Sequence, residues 1–559
     1  EGLRAGRAAA AEALGTGDGA RHEARGAAER TAADRDGAPA GGGLHDPAPP
    51  MVLWTVTGPA TDTAAAFVDP QRDATLADIR AALDTGMASI EHIKRYTTIG
   101  TGPDQGRTCA TLATGITAGL LGRGMDEVGT TTARPPCTPI PFSALAGRER
   151  GSLFDPVRRT PMHEWHTANG AVFEDVGQWK RPRYYPGDGE DMRAAVLREC
   201  RAARESAGVL DASTLGKLIV AGRDAGAFLD RVYTGTFSTL RPGRCRYGVM
   251  CTAEGMVLDD GVGVRLSDDR YLVTTTTGNA ETVRAWLEEW AQTEWPDLCV
   301  HITDVTDHWA TVSVVGPRSR AIMERIAPGL DVSAEGFTFM SAREATVAGA
   351  PARVLRVSFT GELTFEINVP AWYGPDVWTA VLEAGRPFGI TPYGTEAMHV
   401  LRAEKGFIVV GHETDGSVTP ADVGLEWAFS ARTDFVGKRS LRRADTARQD
   451  REQLVGLLPE DTGHVLAEGA QIVADPPAVH RPDGDGPSAV RSRAPVPMLG
   501  RVTSSYESAA LGRSFALALL RGGRGRHGER LYAVHLDQAV PVLVTDPVFY
   551  DKEGARRDG

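Results

Sequence analysis

Three carboxylates stand inside apolar, strand-forming runs, where an acid is costly unless something meets it. In RYGVMCTAEGMVLDDGVGVRL two strand-like runs flank the turn AEG, so Asp259 and Asp260 fall adjacent on the second run and point to opposite faces. One of them is expected to meet a ligand donor or a backbone amide, and a solvated pair beside a turn fits the same residues equally well. In SFTGELTFEINVP, Glu366 alternates with Phe365 and Ile367 and shares a face with Thr364 and Asn368. On patterning alone that face is expected to be solvated. The chemistry such acids offer is acceptance of paired N–H donors, or transfer of a proton.

Other candidates are weaker. His163 and His166 in MHEWH sit three apart, but no third ligand is near and the metalloprotease spacing of four is absent. A packed structural role beside Met162 and Trp165 is favoured, and no metal is expected. GTGPDQG, residues 100–106, follows IKRYTT rather than an apolar strand, and Pro103 removes an amide that a phosphate would need. It reads as a turn leading into a helix. No GxSxG elbow occurs, and the six cysteines form no CxxC pair, so sulfur nucleophile or zinc chemistry has no motif behind it.

These residues need elements to hold them. TLADIRAALDTG predicts a helix with Thr75 as N-cap, Asp78 at the capping-box position and Gly86 as its stop. A second, small-residue helix is expected near Cys109–Leu121, and the proline-rich RPPCTPIPF, residues 134–142, marks a boundary. From about residue 190 helices alternate with strand candidates at Leu218–Val220, Tyr271–Thr277 and Ala310–Val315, and Ala280–Trp295 is an amphipathic helix. The last ~110 residues read as strands with turns, a small barrel or sandwich. The fold class is α+β. The expected domains are a low-complexity remnant or linker at 1–60, a helical connector at 61–150, a third at 151–450 and a β-barrel at 451–559.

The 559 residues carry 61 basic against 73 acidic side chains, a formal charge of -12, so no overall basic field invites nucleic acid. No run of 18 apolar residues exists, which leaves no membrane-spanning helix in the pattern. With sparse cysteine, a cytoplasmic protein is expected.

Read in order, LDASTLGK, GRCRYGVMCTAEGMVLDDG, VVGPRSR, SFTGELTFEINVP, YGTEAMHVLRAEKGFIVVGHETDGSVTPADVGLEWA, DFVGKRSL, TSSYESAALGRSFALALL and PVFYD resemble the folate-binding aminomethyltransferase (glycine cleavage T-protein) superfamily. Upstream, FVDPQRDATLADIRAALDTGMASIEHIKRYTTIGTGPDQGRTC, VGTTTARPP and PMHEWHTANGAVFEDVGQWKRPRYY resemble alpha subunits of heterotetrameric sarcosine oxidase, and these blocks are expected to lie outside the T-protein pattern.

The resemblance implies a folate-binding aminomethyltransferase fold after the connector, with a C-terminal barrel. It implies tetrahydrofolate as cofactor, with Leu215 as an apolar wall, Tyr247 and Phe359 as ring contacts, and Glu366 pairing with the pterin amide edge. It places Asp260 beside the reactive folate nitrogens in a catalytic role. It further implies beta, gamma and delta partner subunits, an FAD on beta and an FMN between alpha and beta. The NAD-binding domain of such subunits is represented only by GLRAGRAAAAEALG near the start, so an NAD site is expected to be lost. Met398 and His399 replace the family's Arg-Asp pair, associated with the aminomethyl-lipoyl carrier. The implied function is oxidative demethylation of sarcosine with capture of the one-carbon unit. The rivals are a free-standing aminomethyltransferase and a non-catalytic folate-fold assembly subunit.

Overall fold

Thr75 opens the first helix as its sequence requires: the Asp78 carboxylate accepts from the Thr75 amide at 2.7 Å and from its hydroxyl at 2.9 Å. In this computed structural model, residues 52–55, 63–135, 137–138, 140–475, 496–536 and 538–559 are described. The expected N-terminal remnant therefore lies almost wholly outside the described residues. Two compact units divide at Leu145/Ala146.

In the first unit, strands β1 (Phe67–Asp69) and β2 (Ala74–Thr75) precede α1 (Leu76–Asp84), α2 (Ile90–Thr97) and α3 (Ala110–Leu121). Leu76, Ile79 and Ala82 of α1 join Ile90 and Ile93 of α2 and Ala113 and Ile116 of α3 in one core. The α2 helix was not anticipated, because its polar IEHIKRYT run carries only two aliphatic residues for burial. The loop at 100–106 spends its amides on its own neighbourhood. Gly100 donates to Asp69 at 2.8 Å and Gly106 to Asp104 at 3.0 Å, which leaves it a helix-start turn rather than a phosphate cradle.

In the second unit a short helix at His163–Ala168 leads to the hairpin β3 (Val172–Val176) and β4 (Trp179–Tyr184), followed by α4 (Met192–Glu205). Five further strands build one antiparallel sheet: β6 (Gly216–Ala221), β7 (Cys245–Cys251), β8 (Val257–Ser267), β9 (Arg270–Thr275) and β10 (His301–Asp304), in the order 10-6-9-8-7. Helices α5 (Ala225–Val232) and α6 (Ala280–Thr293) bury Phe228, Leu229, Val283 and Leu287 against Leu218, Val220 and Val273 of that sheet.

A six-stranded sheet runs 12-13-14-11-5-15, from β5 (Gly208–Asp211), β11 (Trp309–Val315), β12 (Ser341–Val347), β13 (Ala350–Arg356), β14 (Thr364–Pro370) and β15 (Thr391–Pro392). Its Val312, Val314, Phe365 and Ile367 pack on Ile322 of α7 (Ser319–Ile326) and Trp378 of α8 (Gly374–Gly385). The two sheets meet through Ile219, Val264 and Leu272 against Ala342, Leu355 and Val357.

Helix α9 (Thr395–Glu404) and α4 then bind this body to a closed barrel of β16 (Glu452–Pro459), β17 (Gln471–Val473), β18 (Gly500–Ser508), β19 (Arg513–Arg521), β20 (Arg530–His535) and β21 (Gln538–Thr545). Closure settles the choice between barrel and sandwich, because β16 pairs with both β19 and β21. Two buried ion networks hold the joint. Arg204 of α4 reaches Glu362 at 2.9 Å and Glu404 at 2.5 Å. Arg402 of α9 reaches Glu413 at 2.7 Å and the Ser504 hydroxyl of the barrel at 2.8 Å.

Candidate active site

The second unit contains a cavity of about 1350 Å³, larger than a single small-molecule pocket requires. Leu215, Tyr247, Asp260, Phe359 and Glu366 all contribute to its wall. Leu215 stands in the turn that feeds β6, Tyr247 on β7, Asp260 on β8, Phe359 in the loop before β14, and Glu366 on β14.

Strand register brings the first acid to its partner. Asp260 lies opposite Val249, so Tyr247, two residues away on β7, shares its face. The Tyr247 hydroxyl donates to the Asp260 carboxylate at 2.6 Å. Burial lifts Asp260 to about 6, and the Tyr247 bond works against that rise. Gly261 follows because nothing larger fits: a Cβ there would stand 1.9 Å from the Thr274 carbonyl of β9.

Asp259 points the other way and is fully buried. It accepts from the Thr276 amide at 3.1 Å and hydroxyl at 2.8 Å, which anchors the end of β9 to β8. Burial, and then the charge of Asp260, raise it to about 7. Of the two sequence readings for this pair, the solvated one is wrong: one acid meets a backbone amide and the other faces the cavity.

The solvated face expected for Glu366 is likewise corrected. Thr364 and Asn368 are buried, the Thr311 hydroxyl donates to the Asn368 side-chain oxygen Oδ1 at 2.7 Å, and the open area of Glu366 belongs to the cavity wall. The physical reason is a second layer that β-patterning cannot foresee: the five-stranded sheet and the α9 region cover the face that alternation assigns to water. The Glu366 carboxylate accepts no hydrogen bond from the described residues, and burial lifts it to about 7 while the charge of Lys217 pulls it down. An acceptor of this kind is matched to donors that arrive with a ligand.

Flat rings complete the walls. Trp427 stacks on Tyr247 with centroids 5.8 Å apart and planes 28° apart, and Phe407 stacks on Phe359 at 6.4 Å and 22°. Sequence reasoning passed over both, because each stands in irregular chain where no periodicity marks it. The lone tryptophan of the block GLEWA was the available signal.

His166 is buried; its Nε2 donates to the Asp211 carboxylate at 3.0 Å and its Nδ1 accepts from the Tyr185 hydroxyl at 2.9 Å, bonds within the protein that fit the packed structural role favoured for it. No group of acids, histidines and cysteines suited to a metal exists among the described residues, and no helix among them is long and apolar enough to cross a membrane.

Comparison with known proteins places this geometry. Residues 63–148 match the sarcosine oxidase A3 domain, 162–433 the GCVT N-terminal domain, and 452–551 the glycine cleavage T-protein C-terminal barrel domain. The T-protein match begins at Met162, so MHEWHTANGAVFEDVGQWKRPRYY belongs within that pattern, contrary to the sequence reading. The sarcosine oxidase subunit alpha of Corynebacterium sp. strain P-1 is 56% identical over 502 residues, covering 89% of this chain and 51% of that protein. The chain thus spans about half the length of that relative. The aminomethyltransferase of Streptomyces avermitilis is 32% identical over 363 residues, covering 63% of this chain and 90% of its own. The solved glycine cleavage aminomethyltransferase T of Bartonella henselae shares the fold, with a TM-score of 0.59 at 22% identity over 71% of this chain and 99% of that one. The chain belongs to the aminomethyltransferase family of the glycine cleavage T-protein, as a homologue of sarcosine oxidase alpha subunits.

Proposed function

We propose that this chain is the folate-handling part of a sarcosine oxidase alpha subunit, capturing on tetrahydrofolate the carbon released when a partner's flavin demethylates sarcosine. The observation that carries this reading is Glu366, an unpartnered carboxylate in the wall of an aromatic-lined cavity that also holds Asp260. A reduced pterin fits that wall: its adjacent N–H donors suit one carboxylate, and its flat ring suits the planes of Tyr247 and Phe359. When bound, tetrahydrofolate supplies the nucleophilic nitrogens that take up a one-carbon unit at the oxidation level of formaldehyde.

The chain's own contribution is positioning and proton control. Glu366 fixes the pterin edge, Leu215 and the stacked rings fix its plane, and the enclosing walls limit bulk water near the reacting carbon. Asp260, held near 6, is mostly ionised at neutral pH with about a tenth protonated, so it can accept a proton and return it. Tyr247 sets this balance through its bond to the carboxylate.

In the same reading the oxidation belongs to FAD on a beta subunit, with FMN at the alpha–beta interface and gamma and delta subunits completing a cytoplasmic complex. No residue of this chain is assigned to either flavin or to NAD. A free-standing aminomethyltransferase is disfavoured by Met398 and His399, which leave no Arg-Asp pair for a lipoyl carrier.

Calorimetric titration of the full chain with tetrahydrofolate is the direct test. One saturable site per chain is expected, and the absence of binding refutes the proposal. Reconstitution with the beta, gamma and delta subunits then separates an active complex, yielding methylene-tetrahydrofolate from sarcosine, from a binding-only subunit.

A further inference from the structure

Besides Asp260 and Glu366, the same cavity is lined by Glu174 and by a cation, Arg181, that the folate reading leaves without a task. Arg181 lies on β4 in the cavity wall and is 92% buried, with 8% of its surface exposed. Among the described residues its guanidinium forms no hydrogen bond or ion pair, and its Nε is buried without a partner. Burial pulls its pKa down, yet a guanidinium stays charged in proteins, so a bare cation is held in a largely apolar enclosure.

The nearest acids are engaged elsewhere. Glu174, opposite Arg181 in the β3–β4 register, accepts from the Thr395 hydroxyl at 2.5 Å. Asp211 accepts from the Ser213 amide at 3.0 Å and pairs with His166. Both attract Arg181 only from beyond ion-pair distance.

Two histidines in the same cavity wall share this charge environment. His399 of α9 and His412 have ring centroids 5.3 Å apart. Nδ1 of His399 is buried and unpartnered. Burial first, then the charges of Arg402, His412, Arg181 and Arg183, push His399 down to about 3, so it is neutral at physiological pH. A neutral imidazole beside a bare guanidinium can donate a hydrogen bond without adding to the repulsion.

A buried guanidinium with no hydrogen-bonding partner is costly in the empty protein, and a fold keeps one where a ligand offsets that cost on binding. We propose that Arg181, assisted by His399, forms a carboxylate-binding subsite in this cavity, separate from the Asp260 and Glu366 acids. A planar guanidinium matches a carboxylate with two parallel N–H donations, while the apolar walls exclude competing water. Two sources can bring that carboxylate: the glutamyl tail of a folate, which would make the subsite an extension of the proposed pterin site, or the carboxylate of a free amino acid such as N-methylglycine.

The test uses the full chain and its Arg181→Met and Arg181→Lys variants, titrated calorimetrically with tetrahydrofolate, with 6-methyltetrahydropterin, which lacks the tail, and with N-methylglycine. If the tail is the ligand, Arg181→Met weakens tetrahydrofolate binding about 30- to 100-fold, Arg181→Lys loses less, and the tailless pterin is unchanged within about twofold. If an amino acid is the ligand, Arg181→Met abolishes N-methylglycine binding and leaves both pterins unchanged. Either result supports the subsite. The ligand-free Arg181→Met protein is expected to melt at or above the parent's temperature, since a structural arginine would lower it. The inference is overturned if the variant changes no carboxylate probe, if it weakens both pterins equally, or if its melting temperature falls. Failure of the parent to bind any pterin would refute the folate reading instead and leave the N-methylglycine arm to decide this one.

Discussion

Replacing Glu366 with Gln sets stability and binding against each other. Without ligand, the Glu366 carboxylate is raised from the ordinary 4.5 to about 7 by burial. A raised acid is harder to ionise in the folded chain than in the unfolded one. Its contribution therefore falls as pH climbs from 4.5 through 7, and the loss is complete above 7. That interval corresponds to about 3 kcal/mol, an upper limit because water in the cavity screens the charge. Gln does not ionise, so the ligand-free variant is expected to be more stable than the parent above pH 7, with the difference vanishing near pH 4.

Binding runs the other way. At pH 8 the ionised carboxylate accepts two pterin N–H bonds, whereas Gln offers one oxygen and presents a donor against a donor. The expected loss of affinity for tetrahydrofolate is about 2–4 kcal/mol, or roughly 30- to 800-fold. In the parent, affinity should also fall about tenfold for each pH unit below 7 as Glu366 protonates, and the variant should lose that slope. Calorimetry at pH 5.5 and 8, with melting curves recorded on ligand-free protein, measures every quantity. Unchanged affinity at pH 8 together with a lower melting temperature would refute the reasoning and make Glu366 a structural residue.

Asp260→Asn, in a reconstituted complex, is expected to leave sarcosine oxidation near normal while product shifts from methylene-tetrahydrofolate toward free formaldehyde, read by a formaldehyde assay beside flavin reduction. Tyr247→Phe removes the bond that holds Asp260 down near 6, so the pH at which folate product formation is half-maximal should move upward in a pH–rate profile. Gly261→Ala drives a methyl group into the Thr274 carbonyl and should cost about 2–3 kcal/mol in urea unfolding. Arg204→Met strands Glu404 in the core and should cost about 3–5 kcal/mol by the same measurement, with Arg556 at 2.7 Å still holding Glu362.

Local chemistry was legible in the residues themselves. The capping box at Thr75 and Asp78, the strands around Asp260 and Glu366, and the opposite orientation of Asp259 and Asp260 follow from interactions a few residues apart, with periods of 3.6 and 2 that any chain obeys. The loop at 100–106 was also readable, because Pro103 and the polar neighbours of its glycines already pointed to a turn. What lies across each strand was decided only by the tertiary structure. Alternation says that Glu366 and Phe365 face opposite ways, but not whether the polar side meets water, another sheet or a cavity. Here the β6–β10 sheet and the α9 region cover it, and the carboxylate is lifted to about 7 as a result. Trp427, Phe407 and Arg181 gained their places in the cavity wall the same way, from segments more than 40 residues distant from Asp260 and Glu366. Burial of a charge depends on the whole set of neighbours around it, and those neighbours are assembled by packing between sheets and barrel rather than by adjacency along the chain.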